Sequence, residues 1–164
     1  MKVKILFIIL VPIFISCSHS TTPSETIDFN LVFNYGVTGG NILNTLKNTY
    51  TKDLICAGDT TVSFTLSVND KKQILGKMNG INFFAYPDTF IVHTGDTVSV
   101  VTPCSTYNFI VSYNSLNKRL YWVDEIMNPD TQATKLRELI NLIETIIQSN
   151  PEYSKLPPAS GGYQ

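Results

Sequence analysis

The stretch Thr106-Tyr107-Asn108-Phe109-Ile110-Val111-Ser112-Tyr113, followed after Ser115-Leu116-Asn117-Lys118 by Leu120-Tyr121-Trp122-Val123-Asp124, decides the fold. Tyr107, Phe109, Val111 and Tyr113 recur at every second position, as do Leu120 and Trp122. Side chains alternate across a strand, so a period of two marks two half-buried strands. The segment Ser115 to Lys118 turns the chain between them. This hairpin is the clearest element in the sequence.

The period then changes. Ala133, Leu136, Leu139, Ile140, Ile143, Ile146 and Ile147 fall on one helical stripe, with Lys135, Arg137, Glu138, Asn141 and Glu144 opposite. Such a stripe needs a partner, and a sheet face is the natural one. Asn128 and Pro129 suit an N-cap and first helical position, and Pro151 stops the helix.

Working back from the hairpin, Ile27 to Val37 alternates through Ile27, Phe29, Leu31 and Phe33. Gly36, Gly39 and Gly40 then break the strand. Asn44 to Cys56 is rich in β-branched and aromatic residues. Gly58-Asp59 offers a turn, and Thr61 to Val68 alternates again, which predicts a second hairpin. Between Asn69 and Asn79 the spacing of Ile74, Leu75 and Met78 predicts a helix capped by Asn69 and ended at Gly80. Phe83 to Pro87 is an aromatic loop, and Ile91 to Val101 is extended around a turn at His93 to Asp96. The order predicts an α+β fold. It is a mostly antiparallel sheet of about five to six strands with two helices packed on one face.

The N-terminal residues read as a targeting segment. Lys2 and Lys4 precede an apolar run of 11 residues, Ile5 to Ile15, followed by Ser16 and Cys17. A spanning helix needs about 20 residues. The run fits the apolar region of a secretory signal, and the small Ser16 before Cys17 resembles a bacterial lipoprotein cleavage site. That resemblance implies signal-peptidase cleavage between Ser16 and Cys17 and lipidation of Cys17, with a palmitate-type acyl chain on the mature terminus. Phe14 and Ile15 depart from the usual Leu and small residue there. The expected organisation is a signal peptide at 1–16, lipidated Cys17 with a polar tether over 17–26, an α+β domain over 27–150, and an extended tail over 151–164. The domain then lies in a bacterial cell envelope, facing the periplasm or the exterior, and the membrane is a partner through the lipid anchor.

Charge narrows the remaining partners. The chain has 12 basic and 13 acidic residues. Removing Lys2 and Lys4 leaves ten basic residues and a net charge of −3. A nucleic-acid partner would require a basic face, so none is expected. A protein or a small molecule remains as the unknown partner.

With Cys17 lipidated, Cys56 and Cys104 remain. A disulfide between them would close a loop of roughly 48 residues and add about 4 kcal/mol by the chain-entropy estimate. Two free thiols are the alternative, and two cysteines without neighbouring histidines do not make a zinc site.

Nothing assigns a catalytic residue, a metal site or a cofactor. None of the zinc-protease, redox, nucleophile-elbow, dinucleotide or P-loop patterns occurs in the sequence. Asp124 and Glu125 are neighbours on a strand and point to opposite faces. Lys52 and Asp53 place a charged pair inside the β-prone run Thr49 to Asp53. That pair suits either strand-edge protection or a recognition site.

Several stretches resemble a family of bacterial lipoproteins and secreted proteins of unknown function. They are Phe33-Asn34-Tyr35-Gly36 with Asn41 to Asn44, Thr49 to Asp53, Ile81 to Phe84 with Tyr86-Pro87, Leu120-Tyr121-Trp122, Tyr153 to Pro157, and Gly161-Gly162-Tyr163. The resemblance spans residues 33 to 163 and implies one whole domain without implying an activity. The sequence therefore points to a lipid-anchored binding or interaction domain. An envelope hydrolase, or an inhibitor of an envelope-attacking enzyme that presents Phe83 to Phe90 as a protruding loop, are the competing expectations.

Overall fold

The computed structural model describes residues 27–95 and 97–163. Ser16 and Cys17, with the tether, lie outside them. The expected α+β class holds, with seven strands where five to six were expected. They are β1 (Phe29–Tyr35), β2 (Asn41–Asn44), β3 (Thr49–Asp53), β4 (Asp59–Ser63), β5 (Thr89–Phe90), β6 (Val100–Tyr113) and β7 (Leu116–Ile126). Their order in the sheet is β4-β3-β2-β1-β6-β7-β5. All neighbours are antiparallel except β5, which runs parallel to β7. Helix α1 (Val68–Gly80) follows β4, and α2 (Thr131–Ser149) follows β7.

One face of the sheet makes the core. Phe29, Leu31, Phe33 and Tyr35 alternate inward on β1, and Phe109, Val111, Leu120 and Trp122 do so on the central hairpin. They join one buried cluster with Ile74, Leu75 and Met78 of α1 and the whole predicted stripe of α2, so both helices cover the same face. Phe33 stacks on Phe109 at 4.5 Å between ring centroids, and Phe109 meets Phe83 edge-on at 5.3 Å. An exposed Lys77–Glu138 ion pair at 2.6 Å links α1 to α2.

Several local expectations change. The run read as one strand from Asn44 to Cys56 is split by a turn. Asn44 Oδ1 accepts hydrogen bonds from the backbone N–H groups of Leu46 and Lys47, and Asn48 adopts φ +51°, a region asparagine tolerates. Strand β4 stops at Ser63, and Val68 belongs to α1. Ser67, not Asn69, caps that helix, in a capping box with Asp70. Asp130, not Asn128, caps α2 by accepting from the Ala133 N–H at 2.7 Å. Asn128 instead bridges Ser99 N–H and Thr97 C=O. The hairpin turn lies at Asn114 and Ser115, so β7 begins at Leu116.

Phe83 to Phe90 does not protrude. Phe83, Tyr86 and Phe90 are buried, and Phe83–Ala85 form a short 3-10 turn. The segment is rich in aromatics because it fills the core end near Trp122.

The C-terminal segment, expected as an extended tail, folds back. Tyr153–Lys155 form a second 3-10 turn, Leu156 is buried in the core, and Ser160 forms a parallel bridge with Ile55 beyond β3. Among the described residues no helix is long and apolar enough to cross a membrane.

Candidate functional site

Lys52 and Asp53, the sequence candidates for recognition, turn inward to the chain itself. Lys52 donates to the Pro157 carbonyl at 2.9 Å and sits 4.9 Å from the Tyr153 ring centre. The Asp53 carboxylate accepts from Tyr163 Oη, from Thr38 Oγ1 at 2.9 Å and from the Ile55 N–H at 2.8 Å. These donors, Tyr163 first, hold its pKa below the usual carboxylate range. A Cβ at Gly40 would lie 2.5 Å from Asp53 Oδ2, so glycine is required for this approach. The pair is therefore the anchor for the tail.

Cys56 and Cys104 are free thiols. Cys56 follows β3 and Cys104 lies within β6, and β2 and β1 stand between those two strands. Three strand spacings of about 4.8 Å separate β3 from β6 by about 14 Å, and no disulfide joins the two cysteines. Among the described residues no group of histidine, cysteine and carboxylate side chains is placed to hold a metal. His93 is exposed.

A polar cleft of about 310 Å³ opens where α2 and the tail meet the end of the sheet. It is bounded by Tyr35, Asn41, Tyr50, Gln148, Tyr153 and Tyr163. Tyr35 and Tyr50 share a hydrogen bond at 2.7 Å, and burial pushes Tyr50 up to about 12. Glu144, one turn before Gln148, is half-buried near these tyrosines and Tyr107. Loss of solvation raises its pKa above the carboxylate norm. Asp124, by contrast, is paired in a fork to Arg137 at 2.9 and 2.6 Å.

The larger feature is the sheet face that no described element covers. Register assembles it into rows. One row runs Thr61, Thr51, Ile42, Asn34, Asn108, Tyr121 across six strands. The next runs Ser63, Thr49, Asn44, Val32, Ile110, Arg119. Each spans about 24 Å at the usual strand spacing. The first row holds no charge, and the second holds one, Arg119, near the β7 end. Thr51 and Thr61 hydroxyls bond at 2.7 Å, and Tyr121 is 44 % exposed. Beside the second row a hollow of about 450 Å³ is lined by Asn30, Leu46, Ile110, Asn117 and Arg119, together with Lys118 and Asp88, which form an ion pair at 2.6 Å.

Sequence reading missed this face. The signal was present in the polar positions of β1 and β6, where Asn30, Asn34, Asn108 and Ser112 alternate with the core residues. Fold and site define an α+β protein whose sheet is covered by helices on one side and, among the described residues, presents two polar rows with a single charge on the other. No protein-family model matches the chain, and neither a curated protein nor a solved structure matches it.

Proposed function

We propose that this is a lipid-anchored binding protein of a bacterial envelope, held through Cys17, whose domain engages its partner with the uncovered sheet face. The observation that carries the reading is the pair of in-register rows with a single charge between them. Depletion of charge with retained tyrosine and apolar contacts is the compositional mark of an interface centre. The leader sequence and the resemblance to bacterial lipoproteins support the anchor.

Growth of a producing bacterium with labelled palmitate tests the anchor. Label is expected on the wild-type chain and absent from Cys17→Ser. Equal label on both would refute it. For the face, a photo-crosslinking residue at position 110 is expected to capture a partner that the same residue at position 138 does not.

A second reading, an envelope hydrolase, draws on Glu144, a carboxyl with a raised pKa beside a cleft. It requires new reducing ends from a soluble glycan incubated with the protein, lost in Glu144→Gln.

A further inference from the structure

We infer that the uncovered face binds a neutral glycan chain laid along its rows. The inference rests on the face being the binding surface and adds the chemistry of the ligand. Three observations support it. First, the groups on offer are carboxamides and hydroxyls. Asn34 and Asn108 are direct cross-strand partners, and Thr51 and Thr61 are another pair. A carboxamide both donates and accepts, and so does a hydroxyl, which suits a ligand whose hydroxyls do the same. Second, the two rows are nearly free of charge over about 24 Å, the acids Asp53 and Asp59 lying two residues further along β3 and β4, and Lys118 and Asp88 in the adjoining hollow neutralising each other. An anionic polymer or an anionic membrane surface would need a cluster of cations, and the two rows offer only Arg119. A peptide strand would dock on a sheet edge through backbone groups, an edge that β4 offers, and so would leave the side-chain face unused. Third, Tyr121 is 44 % exposed within the uncharged row, between Asn108 of β6 and Thr89 of β5. It provides a flat apolar platform with a polar tip.

The test uses the full chain in detergent, with insoluble cellulose and chitin as neutral probes and heparin-agarose as the anionic control. Tyr121→Ala and the double variant Asn34→Ala/Asn108→Ala are compared with wild type, each checked for an unchanged circular dichroism spectrum. Tyr121 is exposed, so its variant keeps the test valid even where the double variant misfolds. Retention on a neutral polysaccharide is expected, unchanged in about 0.5 M NaCl, where screening removes charge-driven binding. It should fall about tenfold or more in Tyr121→Ala, as for an aromatic anchor. Retention equal in wild type and variants, or on heparin alone, would overturn the glycan assignment. Absence of retention on both neutral probes would also overturn it. Crosslinks from position 110 to a different molecule would then leave the face reading standing, and absence of those crosslinks would remove both.

Discussion

Leu156→Ala tests whether the C-terminal segment belongs to the core. Leu156 is 9 % exposed and joins the buried cluster, carried there by the 3-10 turn Tyr153–Lys155. Burial of a leucine side chain is worth about 1.5–3 kcal/mol, and truncation to alanine typically costs 2–5 kcal/mol where the surroundings hold their shape. Leu156 sits at the rim of the core, where the tail can relax, so the lower end applies, about 2–3 kcal/mol. A domain of this size loses about 4 °C per kcal/mol, giving a fall of about 8–12 °C in Tm. Thermal unfolding followed by circular dichroism measures it. Leu46→Ala, at a side chain 64 % exposed, is the control and should stay within about 0.5 kcal/mol of wild type. If Leu156→Ala matches that control, the tail is not a stabilising part of the fold and the account of Lys52 and Asp53 as its anchors fails.

The other predictions concern the same end of the molecule. Glu144→Gln should raise Tm at pH 7. Its folded-state pKa lies above the unfolded value of about 4.3, so stability from this group is complete below that value and declines as pH rises through the folded pKa. The advantage of the variant should therefore vanish near pH 4, and a constant advantage at all pH would contradict the cause given. Asp53→Asn has the opposite sign. The depressed Asp53 pKa supplies stability above about pH 3.9 that is lost as pH falls through the folded value, so the variant should be less stable at pH 7 and equal to wild type in acid. Gly161→Ala should release the tail, because Gly161 adopts φ +88° and an added Cβ would collide with Cys56 Sγ. Faster proteolysis after Leu156, without loss of the sheet signal in circular dichroism, would show it. Alkylation without reductant should label both Cys56 and Cys104, and protection of both would restore the disulfide.

The parts of the fold legible in the sequence were those set by neighbours along the chain. The β6–β7 hairpin, β1 and the α2 stripe each bury one side, and a period of two or about 3.6 records that directly. The β2–β3 turn was hidden because Thr45-Leu46-Lys47 carries no glycine or proline. Its geometry comes from the Asn44 side chain and from Asn48 at positive φ. The caps were displaced by competition. Asn128 is an adequate cap, yet its carboxamide is used by the 97–99 segment, and Asp130 takes the helix end. The tail was illegible for a different reason, since its partners Asp53, Lys52 and Ile55 lie about a hundred residues away. The same limit hid the site. Alternation gives the polar positions of each strand, but only the strand order brings Asn34 beside Asn108 and, among the described residues, leaves that side without a helix.

The most direct test of the binding face is a titration of the isotopically labelled protein with a neutral oligosaccharide, followed through the asparagine side-chain NH₂ resonances. The account predicts shifts at Asn34, Asn108 and their neighbours in the two rows, with Tyr121 responding and α1 and α2 unmoved. Shifts confined to α2 and the Tyr35–Tyr50 cleft, with the carboxamides of the sheet face silent, would contradict it.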